Sequence, residues 1–162
     1  MAIGVGDKVP GANLLRIGAD GPESVALADM LAGRNVVIFA LPGAYTGTCT
    51  SAHVPSFIRS MDALKAKGVE EVICIAVNDP FVMQAWGEST GANAAGITML
   101  GDAASEFTLA MGMAFSAPPV GFDNRSKRYA MHVVDGEVKV LHAEESPGTC
   151  ELSGGEAMVD AI

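Results

Sequence analysis

Two hydrophobic rhythms alternate along the chain. "NVVIFAL" (35–41) and "EVICIAV" (71–77) are unbroken apolar runs rich in β-branched residues, the pattern of strands buried on both faces. Between them Val54, Phe57, Ile58, Met61 and Leu64 recur at helical spacing until Gly68 stops the helix. Pro55 falls inside that pattern and is expected to kink the helix, because it removes a backbone donor. "DPFVMQAWGEST" predicts the next helix, with Asn78 or Asp79 as its cap and Pro80 near its first turn. A weaker strand at 97–100, a helix over 104–113, a hairpin of 128–134 and 137–143 turning at Asp135-Gly136, and a terminal helix in "GGEAMVDAI" follow. At the start, "NLLRI" (13–17) predicts a short strand ended by the turn residues of "GADGPES". Parallel crossovers followed by an antiparallel hairpin predict an α/β fold: a central mixed β-sheet flanked by helices, in a single domain over 1–162.

Composition narrows the chemistry. With 162 residues, 49% hydrophobic and 18% charged, the chain can build one proper core and does not read as disordered. Ten basic against nineteen acidic residues give a net charge of −9, which repels a phosphate backbone and offers anionic lipid no basic patch. Neither nucleic acid nor membrane is an expected partner. No apolar run approaches the ~18 residues of a membrane span. "MAIGVGDKVPG" places a proline and two charges where a secretory apolar region should be, so a cytoplasmic protein is expected. Cys49, Cys74 and Cys150 are odd in number, too few for a secreted disulfide framework, and form no C-x-x-C. His53, His132 and His142 show no metal-ligand spacing, so no metal is expected, and no cofactor is expected because the sequence offers no cofactor motif.

Cys49 carries the chemistry. In open α/β sheets reactive groups lie beyond the carboxyl ends of the strands, and Cys49 follows the 35–41 strand through a seven-residue loop to open a helix. A helix start presents unpaired N–H groups and partial positive charge, which favour thiolate over thiol. Thr46 adds a hydroxyl, while Gly43 and Gly47 let backbone approach a ligand. The competing reading, a small buried apolar residue at a turn, is outweighed by that position. Cys74, mid-strand with Val72 and Ala76 on its face, reads as buried and inert. His53, four residues after Cys49, shares its helix face and reads first as structural. Arg125 and Arg128, if on one strand, point to opposite faces. Phe81 and Trp86 suit either the core or a subunit contact, and His132 and His142 have no motif partner.

"PGAYTGTC" sets Pro42, Thr46 and Cys49 in the pattern P-x-x-x-T-x-x-C, which resembles the active-site signature of peroxiredoxins. "LKAKGVEEVICIAVNDPFVMQAW" and "RSKRYAMHVVDGEVK" resemble their type-5, or type II, subfamily. Gly47 departs from the proline usual after the threonine. The resemblance implies a thioredoxin-like fold and a thiol-dependent peroxidase acting on hydrogen peroxide and small alkyl hydroperoxides. In that reading Cys49 attacks the O–O bond and becomes a sulfenic acid. Thr46 hydrogen-bonds the peroxide, Arg128 stabilises thiolate and leaving oxygen, and Pro42 shields the thiolate. Cys150, in "TCEL", matches the resolving cysteine that some members use for an intrachain disulfide. The resemblance further implies thioredoxin, glutaredoxin or glutathione as reductant, and a homodimer. Two other readings share the fold. A thiol-disulfide oxidoreductase is opposed by the missing C-x-x-C, and a sensor without turnover by the presence of Thr46 and Arg128.

Overall fold

The computed structural model describes residues 2–162. Its strands are β1 (Asn13–Gly18), β2 (Gly21–Ala26), β3 (Asn35–Ala40), β4 (Glu71–Ala76), β5 (Thr98–Gly101), β6 (Ala114–Ala117), β7 (Phe122–Ser126), β8 (Tyr129–Val134) and β9 (Glu137–Ala143). The helices are α1 (Leu27–Leu31), α2 (Val54–Ala66), α3 (Pro80–Thr90), α4 (Ala92–Ala95), α5 (Glu106–Ala110) and α6 (Gly155–Ala161), with a wide π-helical turn at Cys49–His53 leading into α2. Seven strands form one sheet in the order β2-β1-β5-β4-β3-β8-β9, and β6 and β7 form a separate two-stranded ribbon. β3, β4 and β5 are parallel, and the remaining neighbours in the large sheet are antiparallel. This is the mixed, helix-flanked sheet expected from the sequence, in its thioredoxin-like form.

The period-2 alternation of β3 and β4 sorts the core into two layers. Val37, Phe39, Val72, Cys74 and Ala76 face α2, α3 and α6, where they meet Phe57, Leu64, Trp86 and Met158. Val36, Ile38, Ile73 and Ile75 face the other way, onto Leu27, Leu31 and Phe107. Phe57 stacks on Phe39 with ring centroids 4.2 Å apart, pinning α2 to the centre of the sheet. Trp86 belongs to that core, whereas Phe81 on the same helix is exposed.

Several elements differ from the sequence expectation, each for a local reason. Pro55 lies at the second position of α2, not in its interior, where a missing N–H does no harm. The irregularity is the wide turn before it, whose backbone bonds span one residue more. The expected helix over 104–113 contracts to α5, because Ser105 and Gly112 both sit at positive φ. "GPESVA" is strand β2 rather than turn, paired with β1 from Asn13↔Ala26 to Gly18↔Gly21. Its alternation is faint because its middle is exposed at the sheet edge, where Pro22 is tolerated. α1, α4 and the β6–β7 ribbon were likewise without a clear periodic signal, being four or five residues long.

Candidate active site

Tyr129 pairs with Ala40 across the antiparallel β3–β8 junction, so Arg128 stands one residue beyond it, beside the loop that leaves β3. That loop runs from Leu41 to Thr46, and helical backbone begins at Gly47. Asn78, at the end of β4, accepts the Ala44 N–H through Oδ1 at 2.9 Å and ties the loop to the sheet. Asp79, not Asn78, caps α3 by accepting the Val82 N–H at 2.8 Å. Tyr45 takes φ 64°, the left-handed region, which bends the chain so that Thr46 turns inward. Thr46 then donates its hydroxyl to the Gly43 carbonyl at 2.7 Å. With its proton committed there, the oxygen faces any ligand as an acceptor.

Cys49 opens the wide turn, wholly buried. Among the described residues the N–H groups of Thr48 and Cys49 have no acceptor, which leaves partial positive charge beside the sulfur. Arg128 supplies full charge: its Nη2 donates to Cys49 Sγ at 3.1 Å. The guanidinium is held on every other side. Nε and Nη2 donate to the Pro147 carbonyl at 3.3 and 3.0 Å, and Nη1 meets His53 Nδ1 at 3.0 Å. His53 in turn faces the Ser153 carbonyl through Nε2 at 2.9 Å. Since that carbonyl can only accept, Nε2 carries the proton and Nδ1 accepts from the guanidinium. Burial and the neighbouring Arg128 charge take His53 down to about 3, against a partial pull upward from Ser153 and Glu144. The imidazole is therefore a neutral brace throughout the physiological range.

A cavity of about 300 Å³ ends at Arg128. Pro42, Thr46 and Gly47 form one wall, Pro147 and Gly148 another, and Phe122 of the ribbon with Val120 of its connecting turn a third. Pro42, Thr46, Cys49 and Arg128 thus converge, as the sequence expectation requires of one site. Arg125 converges too. It lies on β7 while Arg128 leads into β8, so the two arginines are not on opposite faces of one strand. Arg125 packs over the Phe122 ring at 5.0 Å and donates to the Pro42 carbonyl at 3.1 Å. A Cβ at Gly43 would meet the tip of that guanidinium, so a side chain there would displace Arg125 from its place beside Pro42. At Gly47, by contrast, a Cβ meets nothing within 4 Å. Its helical backbone at the first turn suits the proline found there in the resembling subfamily.

The other thiols are set apart from that cavity. Cys74 is buried at the centre of β4, where desolvation pushes its thiol well above the ordinary range. Cys150 is half-buried on the loop after β9 and lines a different cleft, of about 330 Å³, with Ser51, Ser56 and Arg59. Burial also raises its thiol, partly opposed by Arg128 and Ser153. All three cysteines are free. Among the described residues no cluster of His, Cys, Asp and Glu could hold a metal ion.

A buried cysteine at a helix start, in contact with a buried guanidinium beneath a small cavity on a thioredoxin-like sheet, defines a thiol-based redox enzyme. The family model described as Redoxin matches residues 4–159. Peroxiredoxin-2E-2, chloroplastic, of Oryza sativa subsp. japonica is 46% identical over 99% of this chain and 72% of its own length. Peroxiredoxin-2C of the same plant is 37% identical over 99% of this chain and 98% of its own. The crystal structure of reduced Prx3 in complex with H2O2 from Vibrio vulnificus superposes with a TM-score of 0.91, at 40% identity over 98% of both chains. The chain belongs to the peroxiredoxin family, in its type II subfamily, and is a thiol-dependent peroxidase.

The His53 brace gives the fold a signed pH dependence. The unfolded chain takes up a proton near 6.5 that the native state refuses until about 3, so stability falls as pH drops through that window. The maximal slope is about 1.4 kcal/mol per pH unit. Thermal unfolding between pH 7 and 4 should show a steeper decline for the wild type than for His53→Gln, which keeps a donor and an acceptor without titrating. Parallel curves for the two proteins would exclude the buried neutral imidazole.

Proposed function

We propose that Cys49 is the peroxidatic nucleophile, Thr46 and Arg128 its catalytic partners, and Pro42 its shield from water. The observation that carries this reading is the 3.1 Å contact to Cys49 Sγ from Nη2 of Arg128, a residue that lines the cavity. The thiolate attacks one peroxide oxygen; the S–O bond forms as the O–O bond breaks. Cys49 is oxidised to a sulfenic acid, and the other oxygen leaves as water or an alcohol after taking up a proton. Thr46, able only to accept, orients the peroxide O–H, while Arg128 balances the charge growing on the leaving oxygen. Full burial of the sulfur favours hydrogen peroxide and small alkyl hydroperoxides over bulky ones. The complex of the reduced Vibrio vulnificus relative with H2O2 agrees with that choice.

Resolution is the second part of the proposal. Cys150 attacks the Cys49 sulfenic sulfur, the S–S bond forms as the S–O bond breaks, and hydroxide leaves as water on protonation. Support comes from the 146–149 segment, which already touches the Cys49 turn: Thr48 Oγ1 donates to the Gly148 carbonyl at 2.9 Å. Thioredoxin, glutaredoxin or glutathione then restores both thiols. A homodimer is proposed because Tyr45 in the 41–48 loop, Val120 on the cavity wall and Phe81 in the first turn of α3 are exposed apolar side chains. Location does not follow from kinship, since relatives are named chloroplastic or mitochondrial; the cytoplasmic setting is proposed from sequence alone.

Cys49→Ser should abolish peroxide consumption with the fold intact. Thr46→Val and Arg128→Met should each lower the second-order rate constant for peroxide by about 100-fold or more, the loss typical of one preorganised donor. Stopped-flow kinetics decide this, and appreciable turnover by Cys49→Ser overturns the assignment.

Reduced protein given one equivalent of peroxide should yield a Cys49–Cys150 crosslinked peptide on non-reducing mapping. A persistent sulfenic acid, or a glutathione adduct on Cys49 alone, rejects that disulfide. Turnover with thioredoxin, glutaredoxin and glutathione supplied separately then identifies the reductant.

Sedimentation should show a dimer that Phe81→Glu dissociates. A monomeric wild type at micromolar concentration refutes the interface.

A further inference from the structure

Arg128 organises the sulfur, and a carboxylate just past β9 organises the loop that carries Cys150. Glu144 follows β9, and its N–H donates to the Arg128 carbonyl at 3.0 Å, so the two side chains leave adjacent points of the sheet. Its buried carboxylate gathers donors from one short segment. Oε2 accepts the N–H groups of Glu151, Leu152 and Ser153 at 3.1, 2.8 and 2.6 Å and the Ser153 hydroxyl at 2.7 Å. Oε1 accepts the Thr149 hydroxyl at 3.4 Å. Those donors flank Cys150 on both sides. Burial opposes the charge, but the Ser153, Glu151 and Leu152 bonds prevail and hold the carboxyl below its usual range.

The clamped loop serves the sulfur through its carbonyls. Pro147 receives two Arg128 N–H bonds, Gly148 the Thr48 hydroxyl, and Ser153 the His53 imidazole. The same closure keeps Cys150 half-buried on its own cleft, and it is not among the residues that line the cavity at Arg128. The geometry that places Cys49 against Arg128 thus holds Cys150 in a cleft of its own, with both thiols free.

We infer that Glu144 is a positioning residue whose carboxylate clamps the 149–153 segment, so that release of the clamp sets how fast Cys150 reaches oxidised Cys49. The inference rests on the Cys49–Cys150 disulfide proposed above. No outside reductant enters the gated step: Cys150 is oxidised as the sulfenic sulfur of Cys49 is reduced. A closed clamp favours peroxide reduction; an open one favours resolution. Glu144 thereby sets the lifetime of the sulfenic acid, and with it exposure to a second peroxide and the sulfinic state.

The test compares the reduced full chain with Glu144→Gln, which keeps size and one carbonyl oxygen but removes the charge. Rapid mixing with one equivalent of hydrogen peroxide, followed by alkylation and peptide mapping, reads both steps. The Gln variant should form the 49–150 disulfide about tenfold faster, the advantage of a charge-assisted over a neutral hydrogen bond. Its peroxide rate constant should fall severalfold, and excess peroxide should leave less sulfinic acid. Glu144→Asp, which keeps the charge, should lie nearer the wild type. Ser153→Ala, which removes one donor, should move both rates in the same directions by roughly two- to threefold, and it serves if the Gln variant does not fold. Both rates falling together would show simple loss of structure and overturn the clamp. Equal disulfide rates in wild type and variant, with the disulfide present, overturn it while sparing the disulfide. Absence of that disulfide from the wild type removes both.

Discussion

A guanidinium with 1% of its surface exposed needs partners on every side, because an unpaired buried charge carries a penalty of several kcal/mol. Arg128 finds a backbone carbonyl, a neutral imidazole and a sulfur, and none of the four ion pairs among the described residues includes it. The Glu144 oxygens, the carboxylate nearest in the network, are taken by the loop. The acidic side chain left in contact with the guanidinium is therefore Cys49. A sulfur thus completes the hydrogen bonding of the buried guanidinium, and the surrounding structure keeps the two groups 3.1 Å apart.

That arrangement assembles remote pieces of chain: the 41–49 segment after β3, the start of β8, and the loop after β9. Parallel pairing of β3 with β4 delivers Asn78 to the first piece, and antiparallel pairing with β8 delivers Arg128. The β6–β7 ribbon adds Arg125 and Phe122 to the outer wall. Secondary structure is regular in the supporting sheet and irregular where Cys49 meets Arg128.

The regular part was legible from periodicity. β3, β4 and α2 bury long apolar runs or stripes, and such patterns leave no alternative element. The convergence of Cys49, Thr46, Pro42 and Arg128 was legible because a contiguous signature and "RYAM" hold them. Arg125 and Glu144 were not: one acts through the Pro42 carbonyl, the other through backbone N–H groups, and neither kind of contact leaves a residue pattern. His53 could be placed on the Cys49 face by counting, but its grip on Arg128 depends on a strand 75 positions away. The edge strand β2 and the ribbon were hidden for a different reason, since short exposed strands carry no hydrophobic rhythm.

The single tryptophan of the chain occupies a telling place. Trp86 is buried in the core, and its indole N–H reaches out to Thr50 Oγ1 at 3.1 Å, within the wide turn that begins at Cys49. Any uncoiling of that turn strips the indole of its hydrogen-bond partner and alters the polarity around it. The protein therefore carries a built-in optical gauge, one chromophore whose emission follows the chain around the sulfur without a label.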